Sequence, residues 1–185
     1  MELRRWLGMT ALLLMLSGCV EDDGYNAAPN VPPRPPTINP RPADCPAVGP
    51  KITTGIVEAT MGYRAVVVTL ANCSAQPLII NGYPVVAILD ADRNTMPVPV
   101  TPGVVKVATD RGPARIRLAQ GGTVQAAVTW FNSDDMISGR KVAGDFLSLA
   151  PGQGDPVVVL PIATDINLRT KVSVTAWSLR SPLSS

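Results

Sequence analysis

The chain contains no histidine. That absence removes serine–histidine and cysteine–histidine catalysis, together with the usual zinc ligand sets. Aromatic residues are scarce at 4%, while prolines number 19, a balance that argues against a helical bundle. No apolar run reaches the roughly 20 residues that cross a bilayer. An excess of one charge is also missing. Sixteen Lys and Arg face fourteen Asp and Glu, and no basic block stands out. This argues against a nucleic acid partner.

What is present begins at the N-terminus. Arg4 and Arg5 precede about ten mostly apolar residues, Leu7 to Leu16, the layout of an export signal. The run stops on Cys19, and the polar sequence VEDDGYN follows at once. Leu16-Ser17-Gly18-Cys19 resembles the lipobox of bacterial lipoproteins. The resemblance implies that the Cys19 thiol accepts a diacylglyceryl group and that residues 1–18 are cut away. Ordinary secretion with Cys19 as a spare thiol is the alternative. One acyl chain anchors marginally and two anchor stably, at about 0.8 kcal/mol per buried methylene. The expected address is therefore the extracytoplasmic face of a bacterial cell membrane, with that membrane as a partner through lipid.

Residues 20–43 carry seven prolines and few aliphatic side chains. Such a stretch buries too little apolar area to offset its ordering entropy. Polyproline II at about 3.1 Å per residue lets roughly 24 residues reach about 70 Å. The stretch PPRPP also has the character of a ligand for proline-recognition domains. The expected organisation is residues 1–18 as leader, 19–43 as lipidated cysteine and tether, and 44–182 as a folded domain.

With Cys19 assigned to lipid, Cys45 and Cys73 remain. An oxidising exported space favours their pairing, and two buried free thiols are the alternative. Closing a loop of roughly 29 residues is worth about 3–4 kcal/mol in the chain-entropy model.

From Cys45 onward, short β-branched runs alternate with turn signals. Strands are expected at Lys51–Glu58 with a bulge at Gly55, Tyr63–Asn72, Pro77–Ile80, Val85–Asp90, Val104–Thr109, Arg115–Leu118, Thr123–Phe131, Phe146–Leu149, Val157–Leu160 and Lys171–Trp177. Val124, Ala126, Val128 and Trp130 share one face at period two. Merged as seven to nine strands, the pattern predicts an all-β fold, an antiparallel β-sandwich of immunoglobulin-like type. Only Ser133 to Lys141 hints at a short helical turn.

The stretch VVVTLANCSAQPLIINGYPVVAILDADRN resembles the core motif of the family called domain of unknown function 4232. The matching positions are Asn72, Cys73, Leu78, Gly82, Tyr83 and Pro84, and RLAQGGTVQAAVTW resembles a later family segment, with Gln120 where proline is usual. The resemblance covers roughly residues 44–180. It implies the fold and compartment of an envelope domain of the kind found mostly in actinobacteria, and says nothing of chemistry. Gly82 is expected to permit a turn that Pro84 fixes. Tyr83 either packs on the sandwich edge with its hydroxyl bonding backbone, as a tyrosine corner does, or contacts a ligand.

Other candidate chemistry is thin. Asp134-Asp135 and the Asp90-x-Asp92-x-Asn94 series have oxygen ligands suited to calcium, but each lacks the rest of a calcium loop. Gly152-x-Gly154 precedes no helix and does not read as a phosphate loop. No catalytic residue, metal site or cofactor is assigned. The expected role is non-enzymatic: a lipid-anchored domain that binds another envelope protein or a cell-wall polymer. A carboxylate-dependent enzyme acting on wall glycan and an inert spacer are the alternatives.

Overall fold

A computed structural model describes residues 44–46, 49–103, 105–132, 144–162 and 164–183. Leu16, Ser17, Gly18 and Cys19, the proline-rich tether, and the segment 133–141 with Asp134 and Asp135 lie outside the described residues.

The described fold is all-β, and no helix occurs among the described residues. Its ten strands are β1 (Lys51–Thr60), β2 (Tyr63–Ala71), β3 (Leu78–Asn81), β4 (Val85–Leu89), β5 (Val100–Pro102), β6 (Arg115–Leu118), β7 (Thr123–Phe131), β8 (Phe146–Ala150), β9 (Val158–Pro161) and β10 (Val172–Val174). They form a five-stranded sheet in the order β1-β2-β7-β10-β5, a two-stranded sheet β3-β6 and a three-stranded sheet β4-β8-β9. One apolar cluster is shared by all three sheets. Val66, Val68, Val128 and Val172 enter it from the first, Ile80 and Leu118 from the second, and Ile88, Leu147 and Leu149 from the third.

Val124, Ala126, Val128 and Trp130 of β7 are all buried, and so are Ala127 and Thr129 on the opposite face, so the middle of this strand is covered on both sides. The Gly55 bulge is present. Thr54 pairs with Val68 and Val57 with Val66, so Gly55 and Ile56 together oppose Val67. The extra residue turns Ile56 outward, and it is 82% exposed.

Three expectations are corrected. The described residues hold ten strands rather than seven to nine, in three sheets. The pairing is not purely antiparallel, because β5 runs parallel to β10. The strand expected at Val104–Thr109 lies instead at β5, and residues 105–109 are bends or irregular. Gly103 is the reason. Its φ of 80° lies where side chains are disfavoured, so the chain turns off the sheet there.

The expected strand Lys171–Trp177 is also cut short, at Val174. Thr175 still bonds to β7, its amide donating to the Ala127 carbonyl at 3.0 Å while its Oγ1 accepts from Ala127 N–H at 2.9 Å. The next two amides leave the ladder. Ala176 N–H donates to Asp110 Oδ1 at 2.8 Å, and Trp177 N–H donates to the Gly82 carbonyl at 3.0 Å. Pairing with β7 resumes at Ser178 and Gln125. The break in β10 therefore exists to hold two distant turns.

Candidate functional site

The family-motif residues separate into two corners. The first is built on Asn72, which directly follows β2 and is 1% exposed. Its Nδ2 donates to the Gln76 carbonyl at 2.9 Å and the Leu118 carbonyl at 3.0 Å, while its Oδ1 accepts from Ser74 N–H at 2.9 Å. Its backbone exchanges bonds with the Gly121-Gly122 turn, Asn72 N–H to the Gly122 carbonyl and Gly121 N–H to the Asn72 carbonyl. Both amide protons and the side-chain oxygen are thus occupied. Cys73 lies beside it, buried, and forms a disulfide with Cys45. The corner is neutral and closed.

The second corner is the turn after β3. Gly82 takes φ 73°, a conformation glycine adopts without steric cost. Its carbonyl receives Trp177 N–H. Pro84 is buried directly after Tyr83. The Tyr83 hydroxyl donates to Asp110 Oδ2 at 2.9 Å, a carboxylate and not the backbone acceptor of the expected tyrosine corner. Gly103 closes over this pair, and a Cβ on it would stand 3.1 Å from Tyr83 Oη and 3.3 Å from Asp110 Oδ2. Burial, the hydrogen bond to Asp110 and the negative charge of Asp110, in that order, push the Tyr83 hydroxyl above the ordinary tyrosine pKa. Trp177, fully buried, donates its Nε1 to the Pro151 carbonyl at 2.8 Å and fixes the neighbouring loop.

Beside this second corner lies a shallow depression of about 440 Å³, lined by Ile79, Asn81, Tyr83, Pro151, Gln153 and Asp155 among others. Asn81 and Ile79 continue outward onto the exposed face of β3. Across that face, Ile79 pairs with Arg117 and Asn81 with Arg115. Ile80, Ile116 and Leu118 point the other way, toward the core.

The calcium reading of Asp90, Asp92 and Asn94 meets a simpler use of the same residues. Asp90 Oδ1 accepts Asp92 N–H at 3.0 Å and Asn94 N–H at 2.8 Å, and Arg93 N–H bonds the Asp90 carbonyl. The carboxylate builds the turn. Among the described residues no group of three or more Cys, Asp or Glu is arranged to hold a metal. Gly152 and Gly154 sit in a turn closed by Asp155 N–H on the Gly152 carbonyl.

The model of the family described as domain of unknown function (DUF4232) matches residues 45–178. The chain belongs to this family. Nothing matches it among the curated proteins, nor among the solved structures. Within the matched DUF4232 span, Asn72, Gly82, Tyr83 and Pro84 all serve the two corners. Asp110, Trp177 and the arginine pair of β6 were not singled out from sequence. The visible signal for Asp110 is that it is the one acid in residues 106–117, a stretch with four cations. For Arg115 and Arg117 it is their alternation with Ile116 and Leu118.

Proposed function

We propose that this protein is an extracytoplasmic envelope lipoprotein, anchored through Cys19, that presents an immunoglobulin-like β-sandwich for binding rather than catalysis. The observation that carries the reading is the Cys45–Cys73 disulfide. Structural disulfides persist in exported compartments and are rare in the cytosol. The crosslink joins Cys45, just after the proline-rich stretch, to the buried Asn72 corner. A pull exerted through a membrane tether is then carried by the five-stranded sheet, because Cys73 lies two residues past the end of β2.

The sandwich reading draws support from three sheets around one apolar cluster. The binding reading draws support from the division of labour between the corners: strands are locked by buried bonds, and the face next to Tyr83 stays open. Rigid scaffolds commonly carry contacts on such surfaces. The lipobox Leu16-Ser17-Gly18-Cys19 supports the address.

The test is capture of envelope material by the full mature chain in detergent micelles, with wall fragments and envelope proteins offered separately. Retention of one class above an unrelated lipoprotein control is expected. Retention of neither contradicts the binding role.

A further inference from the structure

We propose that the outer face of β3 and β6, together with the depression beside it, binds an anionic glycan: a saccharide chain bearing carboxylate or phosphate groups. This rests on the binding role proposed above and names the chemistry of the ligand.

Charge is the first argument. Arg115 and Arg117 are both exposed on β6, and neither has an ion-pair partner among the described residues, where the ion pairs are Lys51–Asp44 and Arg64–Asp165. Alternate residues on one face of a strand stand about 7 Å apart, so the two guanidinium groups form a short row. Guanidinium binds carboxylate or phosphate with two parallel hydrogen bonds. Residues 106–117 hold Lys106, Arg111, Arg115 and Arg117 against the single acid Asp110. Both oxygens of that acid accept hydrogen bonds, from Tyr83 and Ala176, and it forms no ion pair with Arg115 or Arg117.

Shape and polarity supply the second argument. Ile79 lies directly across from Arg117 and is 40% exposed, and the half-buried Tyr83 ring lines the adjoining depression. These offer flat apolar contact to the C–H face of a sugar ring. Asn81, Gln153 and Asp155 lie in the same lining and exchange hydrogen bonds with hydroxyl groups. Asp155 also sets a limit, because a continuous row of phosphates such as nucleic acid meets its negative charge. A ligand with spaced anions and many hydroxyls satisfies both sides.

The test uses the purified full chain, with titration by oligogalacturonate, phosphorylated dextran, neutral dextran, polyglutamate and single-stranded DNA. At least one charged saccharide should bind, neutral dextran should not, and added salt should weaken the complex by screening. Arg115→Gln with Arg117→Gln should weaken binding about tenfold or more, since each loses charge-assisted hydrogen bonds to the ligand. Lys51→Gln with Lys171→Gln removes the same charge elsewhere and should change affinity less than about twofold. An unchanged urea midpoint shows that the arginine variant is folded. Neutral dextran binding as tightly, polyglutamate or DNA binding more tightly than any charged saccharide, or no loss in the arginine variant would each overturn the proposal. Envelope material retained equally by wild type and arginine variant removes this site and leaves the binding role standing. Retention of neither removes both.

Discussion

Asn72 and Tyr83 are eleven positions apart in one family motif, and each ties a turn to a distant segment of the chain. They do so by opposite means. Asn72 uses an uncharged amide, almost wholly buried, with its polar atoms paired to backbone. Tyr83 uses a half-buried phenol on a carboxylate, at the rim of an open depression. The difference teaches where the fold keeps its stability and where it keeps its responsiveness. Neutral buried networks cost much to disturb and ignore pH, whereas a phenol–carboxylate pair near solvent costs less and titrates.

The largest expected effect comes from the closed corner. Asn72→Ala strands the Ser74 N–H and the Gln76 and Leu118 carbonyls, and should lower unfolding free energy by roughly 3–5 kcal/mol in urea melts. Replacing Cys45 and Cys73 together by serine should cost about 3–4 kcal/mol, read in the same melts. The open corner should respond less. Asp110→Ala leaves the Tyr83 hydroxyl and Ala176 N–H without their acceptor, for a loss of about 2 kcal/mol. Losses of equal size at Asn72 and Asp110 would erase the contrast.

The pH dependence sharpens it further. The pKa of Tyr83 is raised in the folded state, so its contribution is fully present below the ordinary tyrosine value. It is lost as pH rises from there through the folded value. The stability gap between wild type and Tyr83→Phe should therefore be about 1 kcal/mol near neutrality and close in alkaline solution. Asn72→Ala should show no such narrowing. The smallest effect is expected at the outer face, where Arg115→Gln with Arg117→Gln should shift stability by less than about 0.5 kcal/mol.

Much of the fold was legible because strand spans follow side-chain alternation. Arg115–Leu118 and Thr123–Phe131 occupy the spans their alternation predicts. The Gly55 bulge was legible because glycine interrupts an otherwise β-branched run. What sequence did not show is the cost of tertiary bonds. Lys171–Trp177 alternates well, yet Ala176 and Trp177 turn their amides to Asp110 and Gly82. No local pattern announces a partner 66 residues away. Val104–Thr109 is β-rich in composition, but Gly103 diverts the chain to deliver Asp110 to Tyr83. The Gly-Tyr-Pro stretch suggests a Tyr83 hydroxyl bonded to backbone, whereas its acceptor is the Asp110 carboxylate, which no local pattern announces. The arginine row was written in RIRL, but its meaning depends on knowing that Ile79 and the depression lie across from it.

The most direct measurement is the intact mass of the protein recovered from membranes, taken with and without reduction. The expected result is a chain starting at Cys19, heavier by its attached acyl groups, with Cys45 and Cys73 linked until reductant is added. A chain still starting at Met1, with both thiols free and found in the cytosol, would contradict the account.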